Sequence, residues 1–393
     1  MNLLSSIRFL LPFSYVLIFC NYSAAEEAIE YEWSDIARIV AIGDIHGSHK
    51  NYIQILNDSG LIDDNGSWIG KDTHLVQVGD LPDRGPDTAK IIKHLQKLEK
   101  EALREGGMIH LLIGNHEFMN VVGDLRYVHA GEYEAFVTVR SAKLRDAYTK
   151  KIIREIKTKK TLQKSSSLDM QMELPKIDNA FKKQLYEKIP LGYVEHRLAW
   201  QPKGKINSWI AKHNAVIKIN DMLFLHAGIG PSVVNLSIQE INERIRAEIL
   251  GQIKHKGGLG NSQDGPLWYR GLAMNPEEAE TKHLEELLKK HDVKKIIIGH
   301  TPSLGVITPR FGSKVLIIDT GISEHYGGHR SSLIIDNNQF FASYDGRDFN
   351  LPTEEQNAVR YFQEMVNLKP DSKRLKSYLK TLLSKDTHSS GGE

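Results

Sequence analysis

Cysteine is almost missing from this chain of 393 residues: Cys20 stands alone. One thiol excludes an internal disulfide framework and a thiolate-based zinc site, both of which need several. Neither sign of charge is in excess, with 51 Lys and Arg against 49 Asp and Glu and a net +2. That balance excludes a surface built throughout for nucleic acid, while leaving local patches open. The apolar run from Phe9 to Cys20 falls short of the roughly 20 residues that span a bilayer. What is present is ordinary for a soluble globular protein, 40% hydrophobic and 25% charged, which argues against disorder and against a multispan membrane protein. The length allows one large domain or two modest ones with a sizeable core.

Residues 1–25 form a pattern of their own. Arg8 is the only charged residue before Glu26, and the apolar run follows it. Asn21-Tyr22-Ser23-Ala24-Ala25 then sets two small residues, Ser23 and Ala25, just ahead of Glu26-Glu27. This is the order of a secretory signal peptide, so cleavage near Ala25 and export, periplasmic or secreted, are expected. An uncleaved anchor is the alternative, and lipid attachment at Cys20 a third, opposed by the large Phe19 before it. Once cleaved, the chain would have no thiol, no stable membrane insertion and no sensitivity to an oxidising compartment.

From Ile36 onward, short β-branched runs alternate with amphipathic helical stretches. Ala37–Ile42, Thr73–Val78, Met108–Ile113, Met222–Leu225 and Lys295–Ile298 read as buried strands, each followed by polar residues. Strands alternating with helices imply an α/β core, whose strand C-termini are where such sheets place ligands. Residues 132–204 interrupt the rhythm with a helical insertion in which Leu144, Tyr148, Ile152 and Ile156 share one face. Between Arg140 and Lys164 it carries ten Lys and Arg against two Asp and Glu, a local +8. It reads either as a solvated helix face or as a basic cap that draws anionic substrates to the site. Residues 350–393 read as a helical tail, with Val359, Phe362, Val366, Leu375, Leu379 and Leu382 packing on the outside of the core and a disordered end from Ser384.

Five short motifs sit at strand ends: Gly43-Asp44-Ile45-His46-Gly47, Gly79-Asp80-Leu81-Pro82-Asp83-Arg84-Gly85, Gly114-Asn115-His116-Glu117, His226-Ala227-Gly228 and Gly299-His300-Thr301. Each puts an oxygen or imidazole donor where glycine lets the backbone turn. Asp44, Asp80, Asn115, His46, His226 and His300 make a mixed nitrogen and oxygen set suited to two divalent ions. Two such ions can clamp an in-line displacement at phosphorus. Singly each motif is weak, since a Gly-Asp is often a turn and a buried His a satisfied core residue; the ordered set is specific.

The set resembles the phosphoprotein phosphatase branch of the calcineurin-like metallophosphoesterases. It is similar, more narrowly, to the Shewanella-like protein phosphatases, through the extended run Gly114 to Val128 and through Pro266-Leu267-Trp268-Tyr269-Arg270. The resemblance covers roughly residues 36–345, the insertion only loosely. It implies a metallophosphoesterase β-sandwich flanked by helices, over 36–349, with the insertion and the helical tail. It implies that Asp44 and His46 hold a first metal, that Asp80 bridges, and that Asn115, His226 and His300 complete a second. Manganese is the first expectation, with iron or zinc as alternatives. It further implies direct attack of a metal-bridging hydroxide on phosphorus, with His116 as general acid, Asp83 orienting it and Arg84 binding the phosphoryl oxygens. Arg270 is the candidate second phosphate arginine, or else a surface salt-bridging one.

Two departures from the family pattern, Pro82 for a larger aliphatic residue and Ala227 for glycine, remove no ligand. Pro302, two residues after His300, argues against the branches that use a Gly-His-x-His pair. The expected activity is a protein phosphatase acting on phosphorylated protein or peptide, with a preference for phosphotyrosine. Serine/threonine or dual specificity, dinucleoside-polyphosphate hydrolysis and a secreted binding protein without turnover are the alternatives. Asp83 leans against the dinucleoside reading, because those hydrolases often lack it. A cysteine-nucleophile route to tyrosine dephosphorylation is excluded, since the one thiol lies in the leader.

Overall fold

The computed structural model describes residues 29–165, 175–352 and 358–389. The expected leader, with Cys20, lies outside them. Contacts divide the chain into residues 1–30 and a unit of residues 31–393, which holds every strand and helix among the described residues. In chain order these are β1 (Glu32–Trp33), β2 (Arg38–Ile42), α1 (His49–Asp58), β3 (His74–Gln77), α2 (Thr88–Arg104), β4 (Met108–Leu111) and α3 (Asn115–Val122). The insertion follows as α4 (Ala130–Glu134), α5 (Ser141–Ser165), α6 (Asn179–Lys188), α7 (Tyr193–Trp200) and α8 (Lys205–Ile210). Next come β5 (Val216–Ile219), β6 (Met222–Leu225), α9 (Ile238–Ile249), α10 (Gly271–Met274), α11 (Glu277–His291), β7 (Lys295–Ile298), β8 (Thr308–Arg310) and β9 (Val315–Ile317). The chain closes with β10 (Ser332–Asp336), β11 (Gln339–Tyr344), β12 (Arg347–Asn350), α12 (Ala358–Leu368) and α13 (Lys373–Ser389).

The strands form two six-stranded sheets, ordered β1-β5-β6-β7-β9-β8 and β12-β11-β10-β2-β3-β4. Inner strands such as β6 and β9 are apolar and buried throughout because both of their faces are covered. Side chains alternate across a strand, and β2 shows where each face goes. Ile39 and Ala41 join a core with Ile217, Phe224, Ile297 and Leu316 of the other sheet, so this core lies between the sheets. Val40 and Ile42 face a second core with Tyr52 and Leu56 of α1 and Ile91 and Leu95 of α2. The architecture is the expected helix-flanked sandwich.

The tail goes further into the molecule than its periodicity implied. Tyr361, Phe362, Met365, Leu375 and Leu379 are buried members of the inter-sheet core. The Tyr361 hydroxyl donates to the Ile307 carbonyl at 2.8 Å, and the Tyr344 hydroxyl accepts from the Ile307 N–H at 2.6 Å. α13 runs to Ser389, with no proline or glycine in it to interrupt the helix, and the last residues of the expected disordered end lie outside the described ones. In the insertion, Leu144, Tyr148, Ile152 and Ile156 are all half-buried, whereas Lys150 and Lys151 are exposed. α5 packs on α6 and α7, and α7 in turn on α3 and α4. Among the described residues, no helix is long and apolar enough to cross a membrane.

Candidate metal centre and active site

Strand register brings the motifs together. In one sheet Ile42 pairs with Gln77 and Gln77 with Leu111, so Asp44, Asp80 and Asn115 all follow strands ending at one edge. In the other, Leu225 pairs with Ile298 and Ile298 with Ile317, which aligns His226 and His300 with Asp319. The turns are tight enough to demand glycine. A Cβ on Gly114 would stand 2.3 Å from Asp80 Oδ1, and one on Gly299 2.4 Å from Asp44 Oδ1. His46, Asp80, Asp83, Arg84 and His300 all have positive φ, between 48° and 73°. Such left-handed L-residues cost about 1–3 kcal/mol each and persist only where the surroundings hold them.

Two buried carboxylates do much of the holding. Glu117 accepts the N–H groups of Asp80 (2.9 Å), Leu81 (2.7 Å) and Gly114 (2.9 Å). Glu132, from α4, accepts the Asp83 N–H at 2.6 Å and the Thr88 hydroxyl at 2.7 Å. Burial, with Asp83 nearby, pushes the Glu132 carboxyl up to about 8; burial, with Asp80, pushes Glu117 up to about 7.

The donor set fits divalent cations. His226 donates from Nδ1 to the Val78 carbonyl at 2.9 Å, which leaves its Nε2 as a bare lone pair. That lone pair faces Asn115 Oδ1 at 2.8 Å, His300 Nδ1 at 3.1 Å and Asp80 Oδ2 at 3.4 Å. At most one hydrogen, on His300 Nδ1, is available to these four atoms. His46 repeats the pattern: Nδ1 donates to the Pro82 carbonyl at 3.0 Å, and Nε2 faces Asp80 Oδ2 at 3.7 Å and Asp44 Oδ2 at 4.0 Å. A ring N–H fixed by a carbonyl, with the other nitrogen bare, is how metal-ligating histidines are oriented. His300 Nε2 and Asp319 Oδ2 are also buried without a partner.

The charges agree with this reading. Burial, then Asp319 and Asp80, hold the Asp44 carboxyl well above its usual range, and burial with Asp80 lifts Asp319 to about 7. Burial also opposes ionisation of Asp80, but the surrounding His226, His116 and His46 rings, when protonated, hold its pKa well below the ordinary value. So many carboxylates in one buried place lack positive charge. Two groups lie close enough to share an ion: His46, Asp80 and His116, and Asp80, His226 and His300.

His116 differs from the other imidazoles. Its Nδ1 lies 2.5 Å from Asp83 Oδ2, and Asn120 Nδ2 donates to the other Asp83 oxygen at 3.0 Å. Burial lowers its pKa, but Asp80 and the Asp83 hydrogen bond more than reverse this, leaving it raised. A protonated ring has no free lone pair, so it suits a proton donor better than a ligand. The Arg84 guanidinium lies over the Tyr127 ring, 3.9 Å from its centroid, with Tyr326 at 5.8 Å; its Nε is buried without a partner. Arg270 donates from Nη1 to the His300 carbonyl at 2.7 Å and to the Thr301 hydroxyl at 2.9 Å. It stands beside the centre and forms no ion pair among the described residues.

The residues singled out from sequence are thus all brought to one place. Sequence reasoning included Glu117, Asn120 and Tyr127 in its motifs without giving them a role, and missed Asp319, Glu132 and Tyr326. Asp319 had a readable signal: it follows the apolar run Val315–Ile318 and precedes Gly321, as the other strand-end donors do. Glu132 had none, being 49 positions from the N–H it accepts.

The model of the calcineurin-like phosphoesterase family matches residues 37–304, and the chain belongs to that family. The family uses divalent metals, and the chain is a hydrolase. Its relatives narrow the class to the Shewanella-like protein phosphatases. It is 31% identical over 324 residues to Shewanella-like protein phosphatase 2 of Arabidopsis thaliana, covering 77% of this chain and 75% of that one. It is 30% identical over 295 residues to Shewanella-like protein phosphatase 1 of Plasmodium berghei, covering 73% and 67%. Its fold matches the crystal structure of a cold-active protein-tyrosine phosphatase of a psychrophilic Shewanella species with a TM-score of 0.60, at 26% identity over 83% and 85% of the two chains.

Proposed function

We propose that this phosphatase is a two-metal phosphomonoesterase that removes phosphate from phosphoproteins, with phosphotyrosine preferred. The observation that carries the metal reading is the pair of bare imidazole nitrogens, His226 Nε2 and His46 Nε2, aimed at carboxylate and carbonyl oxygens. Asp44, His46 and Asp80 would hold one cation, and Asp80, Asn115, His226 and His300 the other. Two divalent ions, manganese first among them, would supply Lewis acidity and lower the pKa of bound water.

The chain's own residues supply the rest. Arg84, with its Nε unpartnered, would bind phosphoryl oxygens, which its planar fork matches two at a time. Arg270, anchored on the His300 carbonyl, is the second cation for the same group. His116 would hand its Nε2 proton to the leaving oxygen, and Asp83 fixes the ring through Nδ1. Tyrosine preference is supported by Tyr127 and Tyr326, which flank Arg84 and give an aryl ring apolar walls on the way to the phosphoryl site. It is supported also by the activity named for the Shewanella structure. Export, inferred from the leader pattern, belongs to the same proposal; an N-terminus other than about residue 26 in the exported protein would overturn it.

The test is a metal-loaded assay on phosphotyrosine, phosphoserine and phosphothreonine peptides and a dinucleoside tetraphosphate. Manganese should support activity, and EDTA or Asp80→Asn should abolish it. Activity that survives both removes the two-metal reading. Equal rates on all phosphopeptides remove the tyrosine preference, and a faster dinucleoside reaction replaces the substrate class.

A further inference from the structure

A cavity of about 700 Å³ shares no lining residue with the metal centre. Its walls are one face of α2, the link after α4, one face of α7 and the first turn of α8. Ile92, Phe136, Leu198 and Ala199 make it apolar, and Lys93 and Lys205 stand on its rim. The apolar surface is open to solvent: Leu198 is 48% exposed and the neighbouring Val137 46%. Leu198 of α7 and Val137 of the link leave apolar surface uncovered beside the buried Ile92 and Ala199. A cleft of this size and lining is of the kind that encloses a small ligand.

The rim supplies the polarity. Lys93 and Lys205 are exposed, and neither forms an ion pair among the described residues. The Lys205 ammonium lies 5.6 Å from the centroid of the Phe136 ring, at the edge of the apolar wall. The opposing charge is Glu195, which also lines the cavity. Its Oε1 is engaged by the Ser141 hydroxyl and by the Thr138 hydroxyl at 3.3 Å, while its Oε2 is buried without a partner. The two solvent-facing cations therefore outnumber and outreach the single, internally bonded carboxylate.

We propose that this cavity is a binding site for a monoanionic amphiphile: an unbranched apolar chain seated between α2 and α7, with its carboxylate at Lys93 and Lys205. No residue of the metal centre lines the cavity, so the ligand binds without competing for the phosphoryl site.

The probes are decanoate, decanol and decylammonium, titrated calorimetrically into the purified protein below micelle-forming concentrations. Decanoate should bind about tenfold more tightly than decanol, as a charge-assisted contact adds to the same apolar burial. Lys93→Gln/Lys205→Gln, which alters two exposed side chains, should bring decanoate down to the decanol affinity. Decylammonium binding more tightly than decanoate would show that Glu195 sets the polarity, and would overturn the proposal. So would decanoate affinity that the double variant leaves unchanged. Saturating decanoate should leave KM for p-nitrophenyl phosphate unaltered, and competitive inhibition would place the ligand at the catalytic centre instead. Calorimetry reads the binding whether or not the two-metal reading survives its own test.

Discussion

Glu132 lies in the insertion, yet it holds the backbone N–H of Asp83, the residue that orients His116. It acts as a positioning residue. Glu132→Ala should free that turn and leave a buried N–H unsatisfied, at a cost of about 1–3 kcal/mol. Its catalytic signature is more telling than its stability cost. A misplaced general acid matters most for a leaving group that needs its proton, so the rate on phenyl phosphate should fall by about 10²-fold. The rate on p-nitrophenyl phosphate, whose leaving group is far less basic, should fall much less. A uniform loss on both substrates would mark Glu132 as merely structural. At this scale the sequence disclosed what lies beside a strand end, because an apolar run followed by Gly-Asp or Gly-His is a local pattern. Glu132 and Tyr326 are brought to the site only by the fold, and no spacing announces them. Asp319 was legible in the same way as His300 and was passed over.

The helical tail had a readable period but not a readable destination. Its apolar face could have covered any surface; what joins it to the core is the burial of Tyr361 and Phe362 and the bond from Tyr361 to Ile307, just before β8. Tyr361→Phe would leave the Ile307 carbonyl without its hydroxyl donor and break the contact with Tyr344 at 2.9 Å. A loss of about 1–3 kcal/mol is expected in urea unfolding, with the metal centre unaffected. β4 offers a separate test. Burial lowers the pKa of His110 to about 3, and its Nε2 lies 3.0 Å from His74 Nδ1. Between the ordinary imidazole value and that one, the unfolded chain binds a proton that the fold does not. Stability from this group is therefore present above about pH 6.5 and lost as the pH falls, by up to about 1.4 kcal/mol per unit. Relative to His110→Phe, the wild type should lose ground steadily from pH 6.5 to pH 5. Parallel curves would mean that His110 is not held neutral.

Across the whole molecule, alternating strands and helices made an α/β core legible, since period and strand length are local properties, while the sandwich was implied by the family resemblance. The pairing of six strands with six others is not local, and it decides which donors meet. On the proposed assignment, Asp44, His46, Asp80 and Asn115 come from one sheet, and His226 and His300 from the other. Chelation should therefore lower Tm as well as activity, by an amount that grows with the logarithm of metal concentration over Kd. A Tm indifferent to EDTA would mean that the two halves of the site do not share an ion. The same division of donors sets an order of events. Only the second set, Asp80 and Asn115 with His226 and His300, draws on both sheets, so tight binding of that cation can begin only once the two faces have docked. That cation would then arrive last in folding and leave first in unfolding, acting as a clasp across the seam between the layers.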